Sequence, residues 1–176
     1  MTFSLSSVRD VFLVLVQMDL RHLREYAELG EQHLLDEKDD FQKEVDDAAS
    51  SISEEDKQDY YDFRSDDYWK LADVFPNILR TSLFVTTYSL FEHRLNRLCQ
   101  DYQRERGLPL SVTDLTGSGI ARAQAYIKKV LSIKFPDNLA EWKSMLLFNK
   151  MRNAFVHNEG ILKSEEGGAP LGAVRK

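Results

Sequence analysis

Apolar residues recur at helical spacing along much of the chain, and this periodicity constrains the fold more than any other feature. From Val8 to about Leu35 the apolar positions follow one another as on a helix face, with charged residues between them and no proline. This pattern predicts a long amphipathic helix. Alternation with period two and Asn-Gly hairpin turns are absent, so strands have almost no support. The sequence therefore predicts an all-α bundle of four to six helices.

Capping residues, prolines and glycines divide the rest of the chain into further helices. A hydroxyl followed by acids in the first turn is typical of a helix start, proline is tolerated in a first turn, and glycine commonly ends a helix. These signals predict helices that begin at Ser53, at Phe75-Pro76, after Gly117-Ser118-Gly119 over 120–133, and at Pro136-Asp137, the last ending at Gly160.

The chain is predicted to form one domain. Residues 1–163 make up the helical domain, in which 36–72 form an acidic helical excursion between the first and second core helices, and 164–176 form a flexible tail. The chain is long enough to bury a core without cross-links, and its single cysteine, Cys99, excludes an internal disulfide. The longest apolar run, residues 11–16, is too short to cross a bilayer. We therefore expect a cytoplasmic protein that does not enter membranes.

Charge is distributed unevenly, although the chain as a whole carries only −6 from 23 basic and 29 acidic side chains. Residues 1–79 hold 8 basic and 20 acidic side chains, whereas residues 80–163 hold 13 basic and 7 acidic. The net charge taken alone argues against a general nucleic-acid-binding surface, but the second part of the chain is basic. The acidic excursion is expected to be a solvated surface, to cover the basic part, or to repel unwanted partners.

The last predicted helix changes character along its length. One face begins apolar and then carries Asn149, Lys150, Asn153 and His157, with Arg152 at its border, while the opposite face stays apolar. A helix that is apolar nearly all round is buried, so the change predicts that the second half lines a cleft or an interface. Arginine can hold a phosphoryl oxygen, and histidine exchanges protons near neutral pH.

Arg152 and His157 do not share one side of a regular helix. They are five residues apart, which places them about 140° apart around the axis. They converge on one ligand only if the helix end loosens or Arg152 reaches around. From spacing alone, the favoured interpretation is that His157 caps the last carbonyls and Arg152 pairs with a carboxylate elsewhere.

Three segments add a resemblance to a known family. The last helix resembles the signature helix of the HEPN superfamily, whose R-x4-6-H motif usually has a polar residue after the arginine; the match is Met151-Arg152-Asn153-Ala154-Phe155-Val156-His157-Asn158-Glu159-Gly160. Residues 84–99 and 114–123 are similar to two further segments of a small bacterial branch, the RiboL-PSP-HEPN type. The resemblance covers about residues 72–163. The segment with the highest density of acidic residues, 36–67, matches nothing in the superfamily.

The resemblance implies an all-α domain that pairs through its motif helices, so that two copies of Arg152 and His157 form one composite cleft. Active members are metal-independent RNA endonucleases, found in toxin–antitoxin or anti-phage defence systems. By this resemblance Arg152 and His157 are catalytic, Asn153 orients the cleft, Lys150 holds a flanking phosphate and Glu92 positions Arg152. We expect RNA and a second copy as partners, an antitoxin or regulatory protein as a further one, neither metal nor cofactor, and products with 2′,3′-cyclic phosphate ends.

Two other functions fit the same residues. In one, the bundle binds a nucleotide, RNA or a protein without turning it over; in the other, Arg152 and His157 only make contacts between helices. Metal binding is not expected, because the helical pairs His22/Glu25 and His33/Glu37 lack the second Glu-x-x-His pair of a diiron bundle. Apolar residues at helical spacing predict a buried stripe on the helix that begins at Phe75-Pro76, namely Ile78, Leu79, Leu83, Phe84, Tyr88, Phe91, Leu95, Leu98 and Tyr102. Cys99 also lies on an apolar stripe and is interpreted as a small core residue.

Overall fold

Helices account for most of the structure, a computed structural model that describes residues 5–157, with side chains from Arg9 onward. The predicted all-α class is confirmed, since no strand occurs between residues 5 and 157. The α-helices are α1 (Leu5–Ser50), α2 (Lys57–Trp69), α3 (Phe75–Arg106), α4 (Gly119–Lys129) and α5 (Ala140–His157). A π-helical turn, Lys70–Val74, joins α2 to α3, and a 3₁₀ turn, Val112–Asp114, precedes α4.

The chain divides into two compact units. Unit 1 contains Met1–Leu20 and Phe84–Lys176, and unit 2 contains Arg21–Leu83. Unit 2 includes the predicted excursion, 36–72, and extends beyond it on both sides. Unit 1 carries 15 basic and 11 acidic side chains and unit 2 carries 8 and 18, so the charge asymmetry follows this division. The predicted tail, 164–176, lies outside the described residues.

The core of unit 1 is built around the middle of α3. Tyr88 and Leu95 of the predicted stripe are buried, and so is Cys99 at the same helical spacing, whereas Ile78 at the start of that stripe is exposed. The three buried residues pack with others from the segments that follow, namely Val112, Ile120, Ala123, Tyr126, Ile127, Leu131 and Trp142. Removing such side chains from water stabilises the fold by about 1.5–3 kcal/mol for each large one.

Side-chain bonds to backbone carbonyls fix α4 against this core. The Tyr126 hydroxyl donates to the Leu110 carbonyl at 2.6 Å, and the Arg106 guanidinium donates to the Leu131 carbonyl at 2.8 Å. α4 ends earlier than the predicted 133, because Ser132 takes a left-handed conformation with φ +55. The amide of Ile133 then donates back to the Ile127 carbonyl at 3.1 Å, so the chain turns back over the end of α4.

α5 begins later than the predicted start at Pro136-Asp137. Asp137 accepts hydrogen bonds from the side chains of Gln124 and Lys128 on α4, so its carboxylate connects two elements instead of capping a helix. Trp142, in the first turn of α5, is buried, and its ring lies edge-on to Phe135 with centroids 4.6 Å apart. The first turn therefore attaches α5 to the core of unit 1.

Unit 2 packs the second half of α1 with α2 and the start of α3. The Arg64 guanidinium of α2 donates to Glu44 at 3.1 Å and lies 4.6 Å from the ring centroid of Phe41, both on α1. Arg80 of α3 makes a bidentate ion pair with Glu31 of α1, in which Nε donates to Oε1 at 2.7 Å and Nη2 donates to Oε2 at 2.6 Å. No residue of α2 is buried, so α2 is held by these surface contacts more than by a core.

α2 starts at Lys57, later than the predicted start at Ser53. The Ser53 hydroxyl donates to the Asp56 carboxylate at 2.6 Å. It is therefore engaged with a neighbouring side chain and does not cap a helix amide. The acids that follow Ser53 lie mainly in the turn before the helix.

α2 continues into α3 without a break, whereas the sequence predicts a separate helix from Phe75-Pro76. Proline lacks an amide hydrogen and its ring crowds the carbonyl four residues earlier, so it normally ends or kinks a helix. The π turn widens the helix just before Pro76, since the amide of Phe75 donates to the carbonyl of Lys70, five residues back.

Candidate functional site

Arg152, on α5, contacts Glu92 on α3. Its Nη2 atom donates to Glu92 Oε2 at 2.9 Å, and the two side chains retain 22% and 24% exposure. The contact expected between these two residues is therefore present. The part that the pair plays in a reaction stays a prediction.

Two further groups contact the guanidinium of Arg152. Its Nη1 atom donates to Asn153 Oδ1 at 3.0 Å, and its Cζ atom lies 5.4 Å from the ring centroid of Tyr88. A cation over the face of an aromatic ring is attracted by the ring quadrupole. Arg152 Nε and the Tyr88 hydroxyl are buried and have no hydrogen-bond partner within the described part of the chain. Arg152 is thus a partly buried cation with defined neighbours.

Tyr88 and Glu92 are one helical turn apart on α3, so they project from the same side of that helix. Burial raises the pKa of Tyr88 to about 12, with a smaller contribution in the same direction from the Glu92 carboxylate and an opposing one from Arg152. Tyr88 is therefore neutral at physiological pH. It offers Arg152 an aromatic ring without a formal charge.

The start of α4 lies beside the same carboxylate. A Cβ atom built on Gly119 would be 3.4 Å from Glu92 Oε2, and Gly119 has a left-handed φ of +57. Glu92 belongs to the segment 84–99, Gly119 to 114–123, and Arg152 to 151–160. The three segments that carry the resemblance thus meet at Glu92.

This arrangement can stabilise negative charge next to α5. A guanidinium has five N–H donors, and the contacts to Glu92 and Asn153 use one on each terminal nitrogen. The remaining donors on those nitrogens can meet an anionic oxygen such as that of a phosphate. The charge of Arg152 is partly balanced by Glu92, which reduces but does not remove its attraction for an anion.

His157 lies in the last turn of α5 and is exposed. α5 stays helical as far as His157, so its end does not loosen to bring this imidazole round to Arg152. On such a helix the two residues lie about 140° apart. The hydrogen bonds that Arg152 makes within residues 5–157 go to Glu92 and Asn153, so its guanidinium is directed towards α3 and not towards His157.

Lys150 and Asn153 are also exposed, and with His157 they follow the same side of α5. Their spacing of three and four residues makes them neighbours along the helix surface. The polar and cationic face expected for the second half of α5 is thus open to solvent. Asn149, the first residue expected on this face, is half-buried.

The apolar sides of α5 are largely exposed in the described chain. Only Trp142 and Ala154 of α5 are buried, whereas Leu147 and Val156 retain 53% and 48% exposure. The rings of Phe148 and Phe155 are partly exposed, and each packs edge-on against the ring of Phe84 on α3. The ring centroids lie 5.9 Å apart for Phe148 and 5.7 Å apart for Phe155. An exposed apolar surface of this kind is typical of a site of protein association.

An apolar groove of about 470 Å³ lies within unit 1, next to Arg152 and its neighbours. Tyr88 of α3 and Met151 of α5 are among its lining residues, together with side chains from the first part of α1. One wall carries an ion pair in which Arg94 Nε donates to Asp19 Oδ2 at 2.6 Å. The ring of Tyr88 therefore borders the groove as well as contacting Arg152.

Sequence reasoning missed Tyr88 as a neighbour of Arg152 and treated it only as a core residue. A local signal for it exists, because an aromatic residue one turn before Glu92 must lie on the same face of α3. The ion pair between Asp19 and Arg94 was also missed. These residues are 75 positions apart, and the pair has no signal in local spacing.

The helical pairs of histidine and glutamate form no metal centre in the described chain. His33 Nδ1 lies 3.9 Å from Glu37 Oε1, and both side chains are mostly exposed. No group of three His, Cys, Asp or Glu side chains between residues 5 and 157 is arranged to hold a metal ion.

Comparisons with protein-family models, with curated proteins and with solved structures found no match to this chain. Of the helices between residues 5 and 157, none combines the length and apolarity that a membrane span requires.

Proposed function

We propose that the protein is a metal-independent RNA endonuclease of HEPN type, which acts as a homodimer in a toxin–antitoxin or anti-phage defence setting. The observation that carries this proposal is the meeting of the three resembling segments, in which Glu92 contacts Arg152 and lies beside Gly119. Segments so far apart in sequence come together at one carboxylate, next to the cation that the chemistry needs.

The reaction would break the bond between phosphorus and the 5′ oxygen of the following nucleotide. The ribose 2′ oxygen attacks phosphorus, and the products are a 2′,3′-cyclic phosphate and a 5′-hydroxyl. His157 transfers the proton, either from the 2′-hydroxyl or to the leaving oxygen. Arg152 stabilises the charge that develops on the phosphorane oxygens, Lys150 holds a flanking phosphate and Asn153 orients the cleft.

Two copies of the chain are part of the proposal because one copy separates its catalytic groups. Arg152 contacts α3, whereas His157 lies on another side of α5 and is exposed. The exposed apolar residues of α5 supply a surface that a second copy would cover. A two-fold axis at this surface would place two copies of each group in one cleft.

The test is RNA cleavage by the purified protein in EDTA, with product ends analysed for 2′,3′-cyclic phosphate. We expect His157→Ala to lower kcat by about 10²–10⁴-fold and Arg152→Ala by about 10²–10³-fold. His93→Ala and Arg97→Ala are matched controls, because both residues are exposed on α3 and lie outside the Arg152 contacts. Uncleaved RNA, or catalytic variants as active as these controls, would refute the proposal.

A second candidate is a binding module that holds a nucleotide, RNA or a protein without catalysis. It is favoured by the state of Arg152, which is partly buried and already engaged through both terminal nitrogens. In that case ligand binding would still depend on Arg152, but no product would form. Titration of a labelled RNA with the parent and with Arg152→Ala, alongside the cleavage assay, separates the two functions.

A further inference from the structure

Two side chains of α3 contact the guanidinium of Arg152 in different ways. Glu92 accepts a hydrogen bond from Nη2 at 2.9 Å, and Tyr88 places its ring 5.4 Å from Cζ. We propose that the ring of Tyr88, and not its hydroxyl, is a positioning group that fixes the guanidinium of Arg152 for the reaction. The inference rests on the proposed function, in which Arg152 stabilises the phosphorane.

The hydrogen bond to Glu92 alone does not define the direction of the guanidinium. Arginine has a long, flexible side chain, and its other hydrogen bond, from Nη1 to Asn153 Oδ1, is made to an exposed residue adjacent to it on α5. Glu92 is therefore the hydrogen-bond acceptor that ties the guanidinium to α3, and one N–H···O contact to that helix leaves the group free to turn about the bond. The ring of Tyr88 limits this freedom from a second direction. Tyr88 is itself fixed, since only 3% of it is exposed and it packs in the core with Leu95 and Cys99.

The ring holds the cation without supplying a formal charge. A second carboxylate in its place would neutralise Arg152 and weaken its field at a phosphate oxygen, whereas an aromatic face attracts the cation through its quadrupole. Tyr88 with Glu92 therefore holds Arg152 while leaving it cationic towards the cleft. This combination suits a group that must stabilise charge in the transition state.

The hydroxyl of Tyr88 makes no hydrogen bond to Arg152. It is buried and has no hydrogen-bond partner within residues 5–157. The phenol is neutral near physiological pH even at its ordinary pKa of about 10, and burial raises the pKa of Tyr88 further, to about 12. The phenol therefore offers Arg152 no negative oxygen, and the ring is the group that remains.

The experiment replaces the ring and the hydroxyl separately. Tyr88→Phe removes the hydroxyl, Tyr88→Leu removes the ring, and pentafluorophenylalanine at position 88 keeps the shape of a ring whose face no longer attracts a cation. Phe91→Leu is the matched control, because Phe91 lies on the same helix against the same core. Each variant is measured for melting temperature, for kcat and KM on RNA, and for the NMR shifts of the Arg152 side chain.

Tyr88→Phe should retain the kcat of the parent and the upfield shifts that a ring face imposes on the protons of Arg152. Tyr88→Leu and the pentafluoro ring should lower kcat by about three- to thirtyfold with little change in KM, and should return those shifts towards solvent values. Phe91→Leu should change melting temperature without moving the Arg152 shifts. The pentafluoro ring keeps the shape of the side chain that packs in the core. If Tyr88→Leu does not fold, the pentafluoro variant therefore still tests the inference.

A Tyr88→Phe variant that loses as much kcat as Tyr88→Leu would assign the role to the hydroxyl and overturn the inference. Parent-like kcat and Arg152 shifts with the pentafluoro ring would overturn it as well. If the parent cleaves no RNA, the proposed function fails, and the NMR shifts alone then decide whether the ring positions Arg152.

Discussion

Burial changes the chemistry of individual side chains in unit 1. Cys99 has no exposed surface, and its Sγ atom lies 3.8 Å from the Ala123 carbonyl. Burial raises the pKa of its thiol to about 12. The reactive form of cysteine is the thiolate, so the same burial that places Cys99 in the core makes it a poor nucleophile. This agrees with its interpretation from the sequence as a core residue.

We expect Cys99 of the native protein to resist a disulfide reagent such as dithiobis(2-nitrobenzoate) near the ordinary thiol pKa of about 8.5. Unfolding in guanidinium should release one reactive thiol per chain, measured by absorbance. Ser89→Cys, at an exposed position on α3, provides a positive control that should react in the native state. Fast modification of the native parent would show that the core around Cys99 opens readily.

At the scale of elements, local patterns located the helices better than they located the helix ends. Leu95 of the predicted stripe is buried, whereas Ile78, at the start of the same stripe, is exposed. The ends depend on what a capping side chain meets in three dimensions. Asp137 is an example. Its carboxylate is expected at the start of α5, but it accepts hydrogen bonds from two side chains of α4 instead.

The contact between Asp137 and α4 should make stability depend on pH. The hydrogen bond from Lys128 lowers the pKa of Asp137, desolvation opposes it, and Gln124 adds to the lowering. A carboxyl with a depressed pKa in the folded state stabilises above its unfolded pKa of about 3.9, and this contribution is lost as pH falls through the folded value. Asp137→Asn should therefore be less stable than the parent at neutral pH and equal to it in strong acid.

Urea unfolding from neutral pH to about pH 2.5 measures this difference. Glu141→Gln is a matched control, since Glu141 is an exposed acid in the first turn of α5. It should not reproduce the acid-dependent difference. If the difference in unfolding free energy between the parent and Asp137→Asn is the same at the lowest pH as at neutral pH, the charge of the Asp137 carboxylate contributes nothing to stability.

At the scale of the whole molecule, charge separates with the two compact units. Unit 2 holds 18 acidic against 8 basic side chains, and unit 1 holds 11 against 15. Many of the carboxylates of unit 2 are exposed, including Asp47, Glu55 and Asp66. A polyanion approaching the protein is therefore repelled by one part of the chain and attracted by the other, to an extent set by ionic strength.

We expect a variant with Asp47, Glu55 and Asp66 changed to the corresponding amides to bind single-stranded RNA more tightly than the parent at low salt. The difference should vanish near 1 M salt, where the Debye length is about 3 Å. Fluorescence anisotropy of a labelled RNA measures both affinities. The mirror-image control, Lys43, Lys57 and Lys70 to methionine, should weaken binding under the same conditions; equal affinities for all three proteins would mean that unit 2 has no electrostatic influence on RNA.

The sequence by itself determined the all-α class, the buried middle of the stripe on α3 and the separation of charge, because each follows from residues that are close in the chain. It also pointed to Arg152 and, through the resemblance alone, to Glu92. Only the tertiary structure decided that the ring of Tyr88 lies against Arg152, that the apolar side of α5 is exposed, and that α2 continues into α3. Contacts between α3 and α5 join residues about sixty positions apart, so their geometry depends on packing, which local spacing does not encode.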